Sequence, residues 1–322
     1  MRVIYLLEER IPSELRLLIV SKIEAAGFEY KLMFYSEPEA EQLKKLCWAQ
    51  AVLCAPGRKL SKRVIEGASH LRLYQLWSSG YDKFDCDFAR ACGVPVANNG
   101  GSNGASVAEH AIMLMLAVHR QLPAMHQRTT TGNWAGNNHG MDLKMLSGKT
   151  LGIIGLGNIG KKVAKRALAF DMDVQFTDLE VQDLQASQLS NIRQVSEDEL
   201  LRTSDILSLH LHLTGATNSL LNRENFKKLK DSVVLINVSR AGLVDQQALL
   251  EALESGRLWG AGLDVYPSEP TKAGDPVLNH PRVVATPHTA GSTLEILVKA
   301  IDRSIDNLKQ VATGQEPNFI VN

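Results

Sequence analysis

The sequence predicts an α/β protein made of two doubly wound domains with parallel sheets, and three observations carry that expectation. Short β-branched runs alternate with helical patterns almost from end to end, as they do where parallel strands are joined by covering helices. The alternation is interrupted by a turn-rich break, Ala97-Asn98-Asn99-Gly100-Gly101-Ser102, and resumes near residue 150. The chain has 322 residues, 44% of them hydrophobic, which is more than one core usually accommodates.

The first alternation runs strand Arg2–Leu7, helix near Glu14–Ala26, strand near Glu29–Phe34, helix Glu37–Leu46 and strand Ala51–Ala55. Helix Ser61–Ala68, strand Leu71–Leu76 and helix Phe84–Ala91 complete it. After the break, a long helical pattern spans about Ala105–Gln121, as a linker helix leaving a hinge would, and a polar, Gly-rich stretch surrounds Gly132–Gly140. The second alternation places strands at Thr150–Ile154, Val174–Thr177, Ile206–Leu209, Val233–Asn237, Gly260–Asp264 and Val283–Thr286. From Ser292 to about Val311, Leu294, Leu297, Val298, Ile301, Ile305 and Leu308 recur at helical spacing, so this tail helix needs a surface to cover. Assigning it to the first domain makes that domain discontinuous, residues 1–100 with 290–322, around a second domain of residues 101–289.

Composition narrows the function. Lys plus Arg and Asp plus Glu are equal at 35 each, so no strong field attracts nucleic acid or an acidic membrane, and small molecules and other protein subunits are the expected partners. Cys47, Cys54, Cys86 and Cys92 show neither a Cys-x-x-Cys spacing nor nearby paired histidines, so neither a metal site nor a disulfide framework is expected. The apolar runs Met1–Leu7 and Ala111–Val118 are too short for a signal peptide and a membrane span, which points to a cytoplasmic protein.

The most specific local signal is Gly155-Leu156-Gly157-Asn158-Ile159-Gly160, which follows the apolar strand Leu151–Ile154 and opens the helical pattern Lys161–Phe170. In a Rossmann βαβ unit, Gly155 permits the tight turn, Gly157 lets the backbone approach a pyrophosphate, and Gly160 allows close helix packing. The N–H groups of Asn158 and Ile159 face the phosphates. Asp178 ends the next strand, 23 residues beyond Gly155, where a carboxylate accepts from the adenosine ribose hydroxyls and repels a 2′-phosphate. Leu179 and Glu180 add no cation, so NAD is the expected cofactor.

Three further residues carry chemistry. Arg240 follows the strand Val233–Asn237, where its planar guanidinium can bind a carboxylate through two parallel hydrogen bonds or polarise a ketone. His288 also follows a strand and can give a proton to a carbonyl oxygen as hydride arrives, or remove it in reverse. Glu269 can support the charged imidazole if its loop folds back.

Taken together these strings resemble the D-isomer-specific 2-hydroxyacid dehydrogenase family. The resemblance rests on Gly155–Gly160 with Asp178, Asn237-Val238-Ser239-Arg240-Ala241-Gly242, Asp264-Val265-Tyr266 leading to Glu269-Pro270, and Pro287-His288-Thr289-Ala290-Gly291. Val107-Ala108-Glu109-His110 and Ser79-Gly80-Tyr81-Asp82 add to it. It implies a Rossmann cofactor domain, a flavodoxin-like substrate domain and a cleft between them, with reversible NAD-dependent reduction of a 2-oxo acid to a D-2-hydroxy acid. Arg240 would orient the substrate, His288 would be the acid/base, Glu269 would hold His288, and N–H groups near Ser79 and Gly80 would grip the substrate carboxylate. Val238, Asp264, His288 and Gly291 would contact the cofactor, Asp264 at the nicotinamide carboxamide, and the cofactor domains would pair in a homodimer.

The chain departs from the family at His212, which replaces a proline in His210-Leu211-His212-Leu213-Thr214. Gly101–Val107 is similar to the formate dehydrogenase branch, but that branch has glutamine where Glu269 stands, so formate oxidation ranks as an alternative. A second alternative is an NAD-binding regulator of corepressor type. The end of the chain at Asn322, just beyond the last helix, favours the enzyme. Trp77, Tyr81, Trp134 and Met141 are candidates for lining the substrate pocket.

Overall fold

A computed structural model of the protein describes residues 1–54, 60–82, 84–134, 136–179, 184 and 189–322. Ala55, expected in a strand, and Glu180, expected beside the cofactor carboxylate, lie outside the described residues. The chain divides into two compact units, Met1–Asn103 with Leu294–Asn322, and Gly104–Thr293.

The first unit runs β1 (Arg2–Leu7), α1 (Ser13–Ala25), β2 (Glu29–Phe34), α2 (Glu39–Trp48), β3 (Ala51–Cys54), α3 (Lys62–Glu66), β4 (Leu73–Leu76), α4 (Cys86–Ala91) and β5 (Val96–Ala97). Every strand pairing is parallel, and the order β2-β1-β3-β4-β5 is that of a flavodoxin-like sheet. Strands β1, β3 and β4 are buried on both faces because helices cover both, and all their buried residues but Gln75 are apolar. Ile4 and Leu6 face one core with Val52, while Val3, Tyr5 and Leu7 face the other with Leu53. Each such buried side chain is worth ~1.5–3 kcal/mol.

The second unit begins with α5 (Gly104–His119) and α6 (Leu122–Thr130), then a 3₁₀ segment at Gly136–Asp142. It continues with β6 (Thr150–Ile154), α7 (Asn158–Leu168), β7 (Asp173–Thr177), β8 (Arg193–Gln194), α8 (Glu197–Thr203), β9 (Ile206–Leu209) and α9 (Arg223–Lys228). Next come β10 (Val233–Asn237), α10 (Gln246–Glu254), β11 (Leu258–Leu263) and β12 (Val283–Ala285). Its seven parallel strands lie in the order β12-β11-β10-β9-β6-β7-β8, which is the Rossmann order with one strand added at an edge. The strand order reverses between β6 and β9, so ligands belong at the carboxyl edge there.

The chain then returns to the first unit as α11 (Leu294–Ala312), whose Ile301, Ile305, Leu308 and Val311 pack into the core with Val3, Tyr5 and Leu7. Polar bonds fix its register: Asn307 Nδ2 donates to Gln75 Oε1 at 2.7 Å, and Asn99 Nδ2 donates to the Ala300 carbonyl at 3.2 Å. The expected long helix Ala105–Gln121 is α5, which ends two residues earlier at His119, and a second helix that the pattern does not show, α6, begins just beyond it. Gln121 takes φ 47°, and α6, with Pro123 in its first turn, follows with no buried residue, so it gives no apolar periodicity to read. Among the described residues no helix is long and apolar enough to cross a membrane.

Candidate active site

Because every strand of the second unit points the same way, the loops after β6, β7, β9, β10, β11 and β12 all leave from one edge. The glycine loop follows β6. Gly155 has φ 93°, and a Cβ there would stand 2.7 Å from the His210 carbonyl, so only glycine fits. A Cβ at Gly160 would meet the Gly155 carbonyl at 2.2 Å, which is why α7 can start so close beneath the loop. Around Gly157, by contrast, nothing lies within 4 Å of a built Cβ. Packing within the chain does not demand that glycine; it borders open space at the N-terminus of α7, where backbone N–H groups suit a pyrophosphate.

Asp178, at the end of β7, is partly buried, and its Oδ2 accepts from the Leu156 N–H at 2.6 Å. One carboxylate oxygen thus ties the strand end to the glycine loop. Asn158 and Ile159 are the first two residues of α7.

Arg240 leaves the end of β10 through a turn that Asn237 builds. The buried Asn237 side chain donates to the Arg240 carbonyl at 2.9 Å and accepts from the Ser239 N–H at 3.1 Å, while Ser239 Oγ donates to the Leu209 carbonyl of β9 at 2.6 Å. Asn237 and Ser239 therefore set the direction of Arg240, whose Nη1 donates to the Ser239 carbonyl at 2.7 Å. Val238, 7% exposed, packs inward from the same turn.

Glu269 and His288 come together. His288 Nδ1 lies 2.9 Å from both Glu269 Oε1 and Oε2, although 19 residues separate them in sequence. Tyr266 closes the loop that returns Glu269: its hydroxyl bridges the carbonyls of Leu263 at 2.9 Å and Thr286 at 2.7 Å, and its N–H donates to Glu269 Oε1 at 3.3 Å. Burial, with the nearby Asp264, pushes the Tyr266 phenol up to about 12, which keeps it a neutral donor.

Asp264 is wholly buried at the end of β11. Its Oδ1 accepts from Thr286 Oγ1 at 2.6 Å and the Thr289 N–H at 2.9 Å, and its Oδ2 accepts from the Ala290 N–H at 2.8 Å. It is the anchor of the turn that carries His288, a role the sequence reading missed. The signal was a carboxylate ending a strand whose neighbours are all apolar. Gly291, partly buried, continues that turn.

In the first unit, Ser79 and Gly80 follow β4 at the carboxyl edge of its sheet. The carbonyls of Ser78, Ser79 and Gly80 accept from Asn99 N–H, Asn98 Nδ2 and Ser78 Oγ respectively, which ties the loop to the segment after β5. Tyr81 is exposed and Trp77 partly buried; in the second unit Trp134 is 80% and Met141 97% exposed. His212 is exposed in the loop after β9, where its carbonyl accepts from Thr217 Oγ1 at 2.7 Å.

Together these features define a dinucleotide-binding sheet whose carboxyl edge carries an arginine and a carboxylate–imidazole pair. Residues 112–290 match the D-isomer-specific 2-hydroxyacid dehydrogenase NAD-binding domain. The chain is 37% identical over 256 residues to a D-3-phosphoglycerate dehydrogenase of Archaeoglobus fulgidus, covering 79% of this chain and 48% of that one, so it spans about half the length of that relative. It is 34% identical over 284 residues to a glyoxylate reductase of Thermofilum pendens, covering 88% of this chain and 84% of that one. The crystal structure of the TT0316 protein from Thermus thermophilus superposes with a TM-score of 0.88 at 32% identity, over 100% of both chains. The chain belongs to the D-isomer-specific 2-hydroxyacid dehydrogenases, a family of NAD-dependent oxidoreductases.

Proposed function

We propose that the protein catalyses the reversible, NAD-dependent reduction of a 2-oxo acid to a D-2-hydroxy acid. The observation that carries this reading is the Glu269–His288 pair, built on the same sheet edge as Arg240 in an NAD-binding domain. Bound NADH supplies the hydride, and NAD accepts it in reverse. His288 protonates the carbonyl oxygen as charge develops on it, and takes the proton back from the hydroxyl in oxidation. Glu269 orients the ring through Nδ1, which directs Nε2 to the substrate. Arg240 binds substrate carboxylate and carbonyl through its planar donors.

The glycine loop and the ends of β7, β10, β11 and β12 form the proposed cofactor set: Gly155, Gly157, Asn158, Ile159, Gly160, Asp178, Val238, Asp264, His288 and Gly291. Asp264 contributes to it mainly by holding the turn, since three of its four acceptor positions are filled from within the chain. A carboxylate beside His288 is what proton transfer needs and what formate oxidation, which moves no hydroxyl proton, does not. A homodimer in the cytoplasm belongs to the same proposal, supported by the apolar side chains that α6 and the following segment expose at Leu122, Trp134, Met141 and Met145.

The test is NADH oxidation with glyoxylate, pyruvate, hydroxypyruvate and phenylpyruvate, alongside NAD reduction with formate. Turnover of at least one 2-oxo acid with none of formate is expected; formate oxidation alone would overturn the reading.

A further inference from the structure

The helix that opens the second unit meets the His288 turn at two points. Ser106 and His110 are four residues apart on α5 and so share one face of it. Ser106 Oγ donates to the Ala290 carbonyl at 2.6 Å, and His110 Nε2 lies 2.8 Å from Thr286 Oγ1. The turn between those two contacts carries His288, whose φ of 55° is in the left-handed region that side chains with a Cβ disfavour. Pro287, His288 and Thr289 are all exposed, so packing does not hold them there.

Counting protons gives the direction of each bond. Asp264 accepts backbone N–H bonds at both oxygens, so the single hydroxyl proton of Thr286 points to Asp264 Oδ1. Thr286 Oγ1 then has only lone pairs to offer His110, which must carry its proton on Nε2. Burial disfavours the charged imidazole at His110, against the pull of Asp264 3.6 Å away, and the neutral Nε2–H form satisfies the chain of bonds. The order is His110 to Thr286 to Asp264, with Asp264 receiving the amides on the far side of His288.

We infer that α5 is a splint for the proposed acid/base, with Ser106 and His110 as positioning residues that hold the turn Thr286–Ala290 through Thr286 and Asp264. The inference rests on the reading of His288 as the acid/base. Ser106 and His110 act through the backbone from which His288 reaches Glu269. Misplacement of a reacting group by about an ångström can cost on the order of a hundredfold in rate, so loosening this turn is a kinetic event before it is a thermodynamic one.

The test compares Thr286→Val with Thr286→Ser, and His110→Leu with His110→Gln, in the full chain. Valine keeps the shape of threonine without its hydroxyl, while serine keeps the hydroxyl; glutamine keeps a donor that leucine lacks. For the valine and leucine variants kcat should fall by about tenfold or more while KM and the Kd for NADH stay within about threefold, and the serine and glutamine variants should recover most of the loss. Parental kcat in Thr286→Val, or a loss that serine does not restore, overturns the splint. Should Thr286→Val fail to fold, Ser106→Ala carries the same expectation and the same refutation. A second readout is independent of turnover: the Nδ1–H proton of His288, observed by nitrogen-edited NMR and assigned by its absence in His288→Asn. That signal should broaden or vanish in Thr286→Val; its persistence unchanged overturns the splint. Were the parent inactive on every 2-oxo acid, the functional reading would fall while this signal still decided the splint.

Discussion

His288 presents Nδ1 to both carboxylate oxygens of Glu269 at 2.9 Å, a bifurcated contact that fixes the plane of the imidazole as well as its direction. Glu269→Gln keeps an acceptor for Nδ1–H but removes the charge beside the ring. Reduction should lose about tenfold to a hundredfold in kcat/KM, with the Kd for NADH unchanged. The overall equilibrium is fixed by the reactants, so oxidation of the hydroxy acid should lose by the same factor. Parental kcat/KM in either direction would make Glu269 a loop residue.

Arg240 stands on a turn that Asn237 and Ser239 brace, so its guanidinium is aimed by the backbone. Arg240→Ala should lose far more in kcat/KM than Arg240→Lys, roughly a hundredfold or more against a smaller loss, because lysine keeps the charge but not the paired planar donors. Both variants should still bind NADH. Equal kcat/KM in all three proteins would move the site elsewhere.

Asp178 ends β7 with a carboxylate tied to the Leu156 N–H. A phosphate beside it would face a fixed negative charge, so NAD(H) should bind at least about tenfold more tightly than NADP(H), equivalent to ~1.4 kcal/mol. Titration by nucleotide fluorescence should show the gap, and Asp178→Ala should narrow it. Equal affinities in the parent would remove Asp178 from cofactor selection.

The sheet and its edge were legible in the sequence because the relevant strands are short, β-branched and buried on both faces. Strands Thr150–Ile154, Ile206–Leu209 and Val233–Asn237 lie where the pattern places them. Helix α6 was not legible, because nine residues with none buried leave no periodic face. Nor was the work of Asp264, since its partners stand 22 to 26 residues away and meet it only once β11 and β12 pair. Some unread signals were present. Ser196, Asn222 and Asp245 are N-cap residues of helices the pattern did not name, and each accepts from the first turn of its helix.

His210, at the carboxyl end of β9, bonds Ser208 Oγ through Nε2 at 2.9 Å and seals Nδ1 from solvent without a partner. Burial lowers its pKa to about 3. Below the unfolded value of about 6.5 the unfolded chain therefore binds a proton that the fold refuses, so stability falls as pH drops from there toward 3. The slope approaches ~1.4 kcal/mol per pH unit from this group within that window. Denaturant midpoints between pH 7 and pH 5 should decline in the parent and decline less in His210→Gln; identical slopes would show that His210 is not the group responsible.

The proposed reaction requires that His288 moves a proton while hydride passes between NADH and the 2-carbon of an oxo acid. Its sharpest test follows deuterium from C4-deuterated NADH into product, for the parent and for His288→Asn. The parent should place the label on carbon 2 of the D-hydroxy acid, while His288→Asn should bind NADH with parental affinity and transfer label at least about a hundredfold more slowly. Label transfer at the parental rate in His288→Asn, or product from the parent without deuterium at carbon 2, would refute the assignment.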